Sequence, residues 1–142
     1  MAFTGNWTFN TFKTGLMNGS FNFTSGSFYI ALYTNTASLD ATTTAYTTTG
    51  EASGGNYVAG GSLLTVSQVP TTGNQTGAAT AYISFSNAAW TGAITARGAL
   101  IYKAGDNGAV CVLDFGADKT STNTFTVQFP AVTNTSAIIR LS

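Results

Sequence analysis

Histidine is absent from all 142 residues. Its absence removes the commonest general base and the commonest metal ligand. A Ser-His-Asp or Cys-His nucleophile cannot be assembled, and zinc sites built from Cys and His are excluded. Cysteine occurs once, at Cys111, so no internal disulfide can form. Its neighbours Val110, Val112 and Leu113 suggest a strand, where a free thiol behaves as a small buried hydrophobe.

Charge is nearly as scarce. Five basic and five acidic residues make up 7% of the chain and leave a net charge of zero, against roughly a quarter charged residues in an average soluble domain. The basic residues Lys13, Arg97, Lys103, Lys119 and Arg140 are scattered. Nucleic acid is therefore not an expected partner, because displacing counterions from a phosphate backbone takes clustered cations. No stretch approaches the roughly 20 apolar residues of a membrane helix, so no membrane partner is expected. The opening MAFTGNWTFN has no basic region followed by a long apolar run, so no signal peptide is expected and synthesis belongs in a reducing cytoplasm. So weakly charged a surface has little electrostatic protection against self-association, and suits a protein that ends packed against neighbours.

What is abundant points to sheet. Hydrophobic residues make up 44% and aromatics 13%, with sixteen glycines and much Thr, Ser and Asn, a composition that favours strands. The length suits one domain, residues 1–142, with a core that needs neither metal nor disulfide. The only helical spacing is Phe9, Phe12 and Leu16, with Asn6 or Thr8 as N-cap and Gly19 as stop. It predicts one short N-terminal helix at about 6–18. Strands are predicted at Ser27–Thr34, apolar on both faces, and at Tyr57–Val69, broken at Gly60 and Gly61 and closed by Pro70. Further strands are predicted at Thr80–Ser86, Arg97–Lys103, Ala109–Phe115, Thr124–Phe129 and Ala137–Leu141. AGDNG makes a hairpin turn between Lys103 and Ala109. Asn35–Gly55 reads as an excursion with a short strand near Ala45–Thr48, and TTGNQTG as a loop. Seven to eight strands and one helix predict an all-β fold of β-sandwich or jelly-roll type.

Few residues are candidates for chemistry. Asp114 and Asp118, in LDFGADKT, are the only close acidic pair. A hydrolase could use them, but a strand-end Asp and a turn Asp paired with Lys119 is the simpler reading. Asp106–Gly108 is a fragment of a calcium loop at most, and the glycine-rich stretches lack a phosphate-loop ending. No cofactor or metal is expected, and the chain reads as a non-enzyme. Among so few charges, Arg97 and Glu51 call for partners: an ion pair or backbone contacts within the chain, or an intersubunit pair that fixes register. Trp90 and Tyr57 join them as candidate interface anchors. With Trp7 and Tyr46, these aromatics could alternatively form a sugar-stacking platform.

The ordered segments NTFKTGLMNGSFNF, FYIALYT, ASLDATTTAYTTTGEASGGNYVAGG, ITARGALIYKAG, AVCVLDFGADKTSTNTFTVQFP and AIIRL resemble a family of small virion structural proteins of tailed bacteriophages. The likeness runs from about Thr11 to Leu141, with RGALIY and VLDFGADKT its most specific parts. The resemblance implies a late-expressed particle component without catalytic residues, made in the host bacterial cytoplasm. Capsid decoration (cement) proteins of that class are β-sandwich or jelly-roll modules of this size. It further implies a place on the capsid surface, with the major capsid protein and other copies of itself as partners, a trimer favoured. The alternative is a tail, neck or head-fibre component that binds a host surface glycan.

Overall fold

The computed structural model describes residue 3 and residues 5–75 and 78–141. Among them the chain is mostly strand, with a single helix α1 (Asn10–Met17). The strands are β1 (Trp7–Thr8), β2 (Phe28–Tyr33), β3 (Ser62–Leu64), β4 (Val66–Gln75), β5 (Ala78–Phe85), β6 (Ala88–Thr91), β7 (Ile94–Lys103), β8 (Ala109–Ser121), β9 (Thr124–Val127) and β10 (Ile139–Leu141). They form three sheets, ordered β1-β8-β7-β2-β3, β10-β5-β4 and β6-β9.

The five-stranded sheet is built on the chain's most apolar segments. β2 pairs with β7 over six residues, from Phe28↔Lys103 to Tyr33↔Gly98, and Phe28, Ile30, Ala31, Leu32 and Tyr33 are all buried. A strand apolar on both faces can only sit in the interior of a sheet. β7 turns into β8 through the expected AGDNG segment, where Asn107 takes a φ of 59°. The Asp106 carboxylate accepts the Gly108 amide at 3.0 Å, and Lys103 Nζ lies 2.8 Å from Asp106 Oδ2.

β6 and β7 are one strand bent at Gly92–Ala93, and β8 and β9 are its partner bent at Thr122–Asn123. The register shows this: Thr91↔Thr124 and Ile94↔Ser121 continue one ladder across the corner. The Ser121 hydroxyl holds the bend, donating to Gly92 O at 2.7 Å and accepting the Ile94 amide at 3.2 Å. β3 and β4 likewise pass from one sheet to another at Thr65, whose carbonyl accepts the Ser86 amide at 2.9 Å. Between the sheets and α1 lies a chain of rings. Phe23 stacks on Phe28 with centroids 4.5 Å apart, Phe12 and Phe85 meet Phe23 edge-on, and Phe129 lies 5.8 Å from Phe85. Each such side chain contributes about 1.5–3 kcal/mol through burial.

Four local expectations fail, each for a tertiary reason. Trp7–Thr8 is strand and not the first turn of a helix. It pairs with Val112 and Cys111, and the Phe9 amide donates to Val110 O at 3.0 Å, so β8 supplies the partners that a capped helix start would need. Helix α1 accordingly begins without a side-chain cap. Pro70 does not end its strand. It lies in β4, an edge strand, inside the register shift between Gln68 and Thr71, where no ladder donor is required. The predicted loop TTGNQTG is therefore strand up to Gln75, and its residues 76–77 lie outside the described residues. Ala45–Thr48 forms one isolated bridge, Ala45↔Gly108, and no strand. Within β5, Ser84 is fully buried.

Candidate functional site

The segment between β2 and β3 is irregular, yet it lies along β2 as another strand would. The Ala52 amide donates to Leu32 O at 2.8 Å and the Thr34 amide to Gly50 O at 2.9 Å, with Glu51 bridged to Tyr33 between them. That fixes the Glu51 backbone and directs its carboxylate into a ring of donors. Tyr46 Oη donates to Oε2 at 2.7 Å. Tyr57 Oη and the Gly60 amide both donate to Oε1, at 2.6 and 2.7 Å. Tyr57 Oη also accepts the Leu32 amide at 2.9 Å, and Tyr102 Oη donates to Gly60 O at 2.7 Å. The rings of Tyr29, Tyr102 and Tyr46 stack in series, with centroids 5.7 and 4.6 Å apart. Gly61 follows at φ +76°, and a Cβ there would lie 1.8 Å from Ile30 O. Only glycine fits that approach.

Burial, and then the hydrogen bond to Glu51, hold the Tyr46 and Tyr57 hydroxyls far above the ordinary phenol value. Burial does the same for Tyr33, whose hydroxyl donates to Thr47 O. These phenols are therefore donors at neutral pH, and the carboxylate accepts three hydrogen bonds from within the chain. The cluster fastens the irregular segment to the sheet.

The second polar centre is separate. Arg97 Nε lies 3.0 Å from Asp114 Oδ1, and Asp114 Oδ1 also accepts the Gly116 amide at 2.8 Å. Burial alone would raise the Asp114 value, but the Arg97 hydrogen bond and the Gly116 amide outweigh it and hold the carboxyl below its usual range. The Asp114 amide donates to Asn6 Oδ1 at 2.6 Å, and the Arg97 guanidinium lies 6.0 Å from the centre of the Phe3 ring. This pair sits at a bulge, where residues 115–118 of β8 oppose the single residue Arg97 of β7.

The four candidates from the sequence thus fall into two groups. Glu51 and Tyr57 are bonded to each other, and Trp90 packs against Tyr57 at 5.6 Å. Trp90 is only 3% exposed. Arg97 belongs to the other group. Asp114 and Asp118 do not act together: Asp118 Oδ2 accepts Asn35 Nδ2 at 2.9 Å, and not a lysine as expected. Among the described residues, no three His, Cys, Asp or Glu side chains converge to hold a metal. Cys111 is buried, which pushes its thiol up to about 12. No helix among the described residues is long and apolar enough to cross a membrane.

Sequence reasoning did not foresee a cleft of about 570 Å³ along β8 and β9. Its lining includes Leu113 to Phe115, Lys119 to Ser121 and every residue from Thr124 to Pro130. Side chains alternate across a strand, so a wall of consecutive residues is a strand's backbone edge. The only sequence signal for this feature is the polar set Thr124, Thr126 and Gln128, which leaves one side of β9 to solvent. No family model, no curated protein and no solved structure matches the chain.

Proposed function

We propose that the chain is a virion structural protein, a capsid decoration (cement) protein of β-sandwich or jelly-roll type that binds across junctions of the major capsid protein. It acts as a homo-oligomer, with a trimer favoured, on the capsid surface and without catalysis. The observation that carries this reading is how the polar groups are spent. Glu51 is occupied by two phenols and an amide, and Arg97 by Asp114. The surface offers mostly Thr, Asn and Ser together with exposed Trp7, Met17, Val58, Leu63, Val69, Val132 and Leu141. Large apolar side chains on a nearly uncharged surface suit contact with other proteins. The likeness of RGALIY and VLDFGADKT to phage virion proteins supports the same reading.

Such contacts depend little on ion pairs, so binding resists salt. The test mixes the protein with undecorated capsids at low and high ionic strength. Saturable binding retained at high salt, and greater resistance of the head to heat, support the reading. Absence of binding, or release by modest salt, overturns it.

The alternative, a tail, neck or head-fibre component that recognises a glycan, needs an open aromatic platform. Trp90 is buried, and Tyr46 and Tyr57 commit their hydroxyls to Glu51. These observations favour the decoration reading. Copy number per particle separates the two: hundreds for decoration, a few dozen at most for a fibre.

A further inference from the structure

β8 has two outer neighbours. One is β7. On the other side β1 pairs only with Cys111 and Val112, and Asn6 caps the Asp114 amide with its side chain. Beyond that point no described strand pairs with the outer edge of β8, and β9 pairs with β6 alone. The cleft lies along this open edge, with Phe115 and Phe125 among its apolar residues. The Asp114 charge in it is matched by Arg97 at 3.0 Å. Lys119 also lines it, and no described carboxylate forms an ion pair with Lys119. The cleft therefore combines an unpaired backbone edge, apolar contacts and one unmatched positive charge. Main-chain pairing supplies affinity in strand addition, and side-chain contacts supply selectivity.

We infer that this edge accepts an added β-strand: an extended segment of another protein that brings a carboxylate side chain to Lys119. A second copy of this chain is the poorer occupant. Two copies paired edge to edge about Lys119 would bring like charges together, a repulsion that rejects self-pairing while an acidic strand is attracted. The inference stands apart from the virion reading, since it specifies the chemistry of the segment and not its source.

The test uses blocked heptapeptides of alternating Thr and Val, one with a central Glu and one with a central Lys, titrated into the isotope-labelled full chain. The Glu peptide shifts the amides of β8 on either side of Lys119 and binds about tenfold tighter than the Lys peptide, a gap typical of one charge contact against one charge repulsion. Lys119→Glu inverts the preference, and Lys13→Glu, on α1, leaves it unchanged. The inference is overturned if neither peptide shifts these amides, or if Lys119→Glu does not change the order. It is equally overturned if maltohexaose shifts them and the peptides do not, or if Lys119→Glu changes the oligomeric state seen by sedimentation, which would place the edge in a self-contact.

Discussion

Replacing Glu51 tests whether the irregular segment is fastened by one carboxylate. Glu51→Ala deletes the acceptor of three hydrogen bonds at 2.6–2.7 Å and leaves two phenols and the Gly60 amide without it. Hydrogen bonds to a charged group contribute about 1.5–3 kcal/mol each, and a stranded buried donor costs about 1–3 kcal/mol. Glu51 is half-buried, so water can reach part of the site, and a total loss of about 3–5 kcal/mol is expected. That is a large share of the roughly 5–15 kcal/mol that holds a typical domain folded. Glu51→Gln keeps the shape and one carbonyl acceptor, and the Tyr46 hydroxyl can turn to accept from the new amide. It loses only the charge assistance, about 1–3 kcal/mol in total. Urea unfolding followed by tryptophan and tyrosine fluorescence measures both. A cycle with Tyr57→Phe gives the coupling directly, because residues in one network are not additive. The loss relative to wild type, compared at equal protein concentration, should not change with that concentration, since every partner of Glu51 lies in the same chain. An alanine variant within about 1 kcal/mol of wild type, or a concentration-dependent loss, would refute this account.

Four further outcomes follow from the same geometry. Gly61→Ala should cost more than about 3 kcal/mol, since its Cβ meets Ile30 O at 1.8 Å, whereas Gly105→Ala, at φ +99° with nothing within 4 Å, should cost only about 1 kcal/mol of backbone strain; paired denaturation curves decide. Arg97→Ala removes the partner of a carboxylate whose side chain is 11% exposed and should cost about 1–3 kcal/mol at neutral pH. Because the folded Asp114 value is depressed, its contribution is present above about pH 4 and lost as pH falls through the folded value, so acid titration should show wild type and variant converging. Ser84 Oγ is buried with no partner among the described residues, and Ser84→Ala should raise thermal stability by about 1 kcal/mol. The raised phenols of Tyr33, Tyr46 and Tyr57 give stability that is complete below about pH 10 and declines as pH rises above it; ultraviolet titration should show these phenols ionising only as the chain unfolds.

The parts of this fold legible from sequence are those whose neighbours in space are also neighbours in the chain. Residues 97–103 and 109–115 pair across AGDNG, and the turn residues and the apolar pattern agree, so both strands and their hairpin are evident in advance. β2 is evident because an apolar run on both faces has only one place in a sheet. Legibility fails where distant partners decide. Trp7 and Thr8 have helix-start chemistry nearby, but Cys111 and Val112, about a hundred residues on, draw them into strand. Pro70 breaks a strand by local rules and is accommodated because β4 is an edge strand and Pro70 lies within one of its register shifts, between Gln68 and Thr71. Glu51 stands out through the scarcity of charge. Its partners do not, because no propensity shows that phenols and an amide would take the place of a cation.

With so few charges, this chain cannot prevent edge-to-edge growth by the usual rows of lysine, and its strand edges show what it uses instead. β3 and β10 have three residues each, too few to template a partner. β4 is longer, but it carries Pro70 and two register shifts, which remove a donor and twist the edge away from a flat approach. β1 is shorter still, and the rest of the β8–β9 edge bears Lys119, one of only five basic residues. Among the described strands, the edges of β1, β3, β4 and β10 are thus blunted by shape, that of β6 is met at Thr91 by the backbone and side chain of Asn56, and that of β8–β9 is guarded by charge. Only charge can be reversed by a suitable partner. An edge protected by its geometry excludes every strand, whereas one protected by a single ammonium group excludes like charge and admits its opposite. If the chain joins a larger assembly through its backbone, physical chemistry leaves β8–β9 as the place, and the contacts elsewhere must be made by side chains.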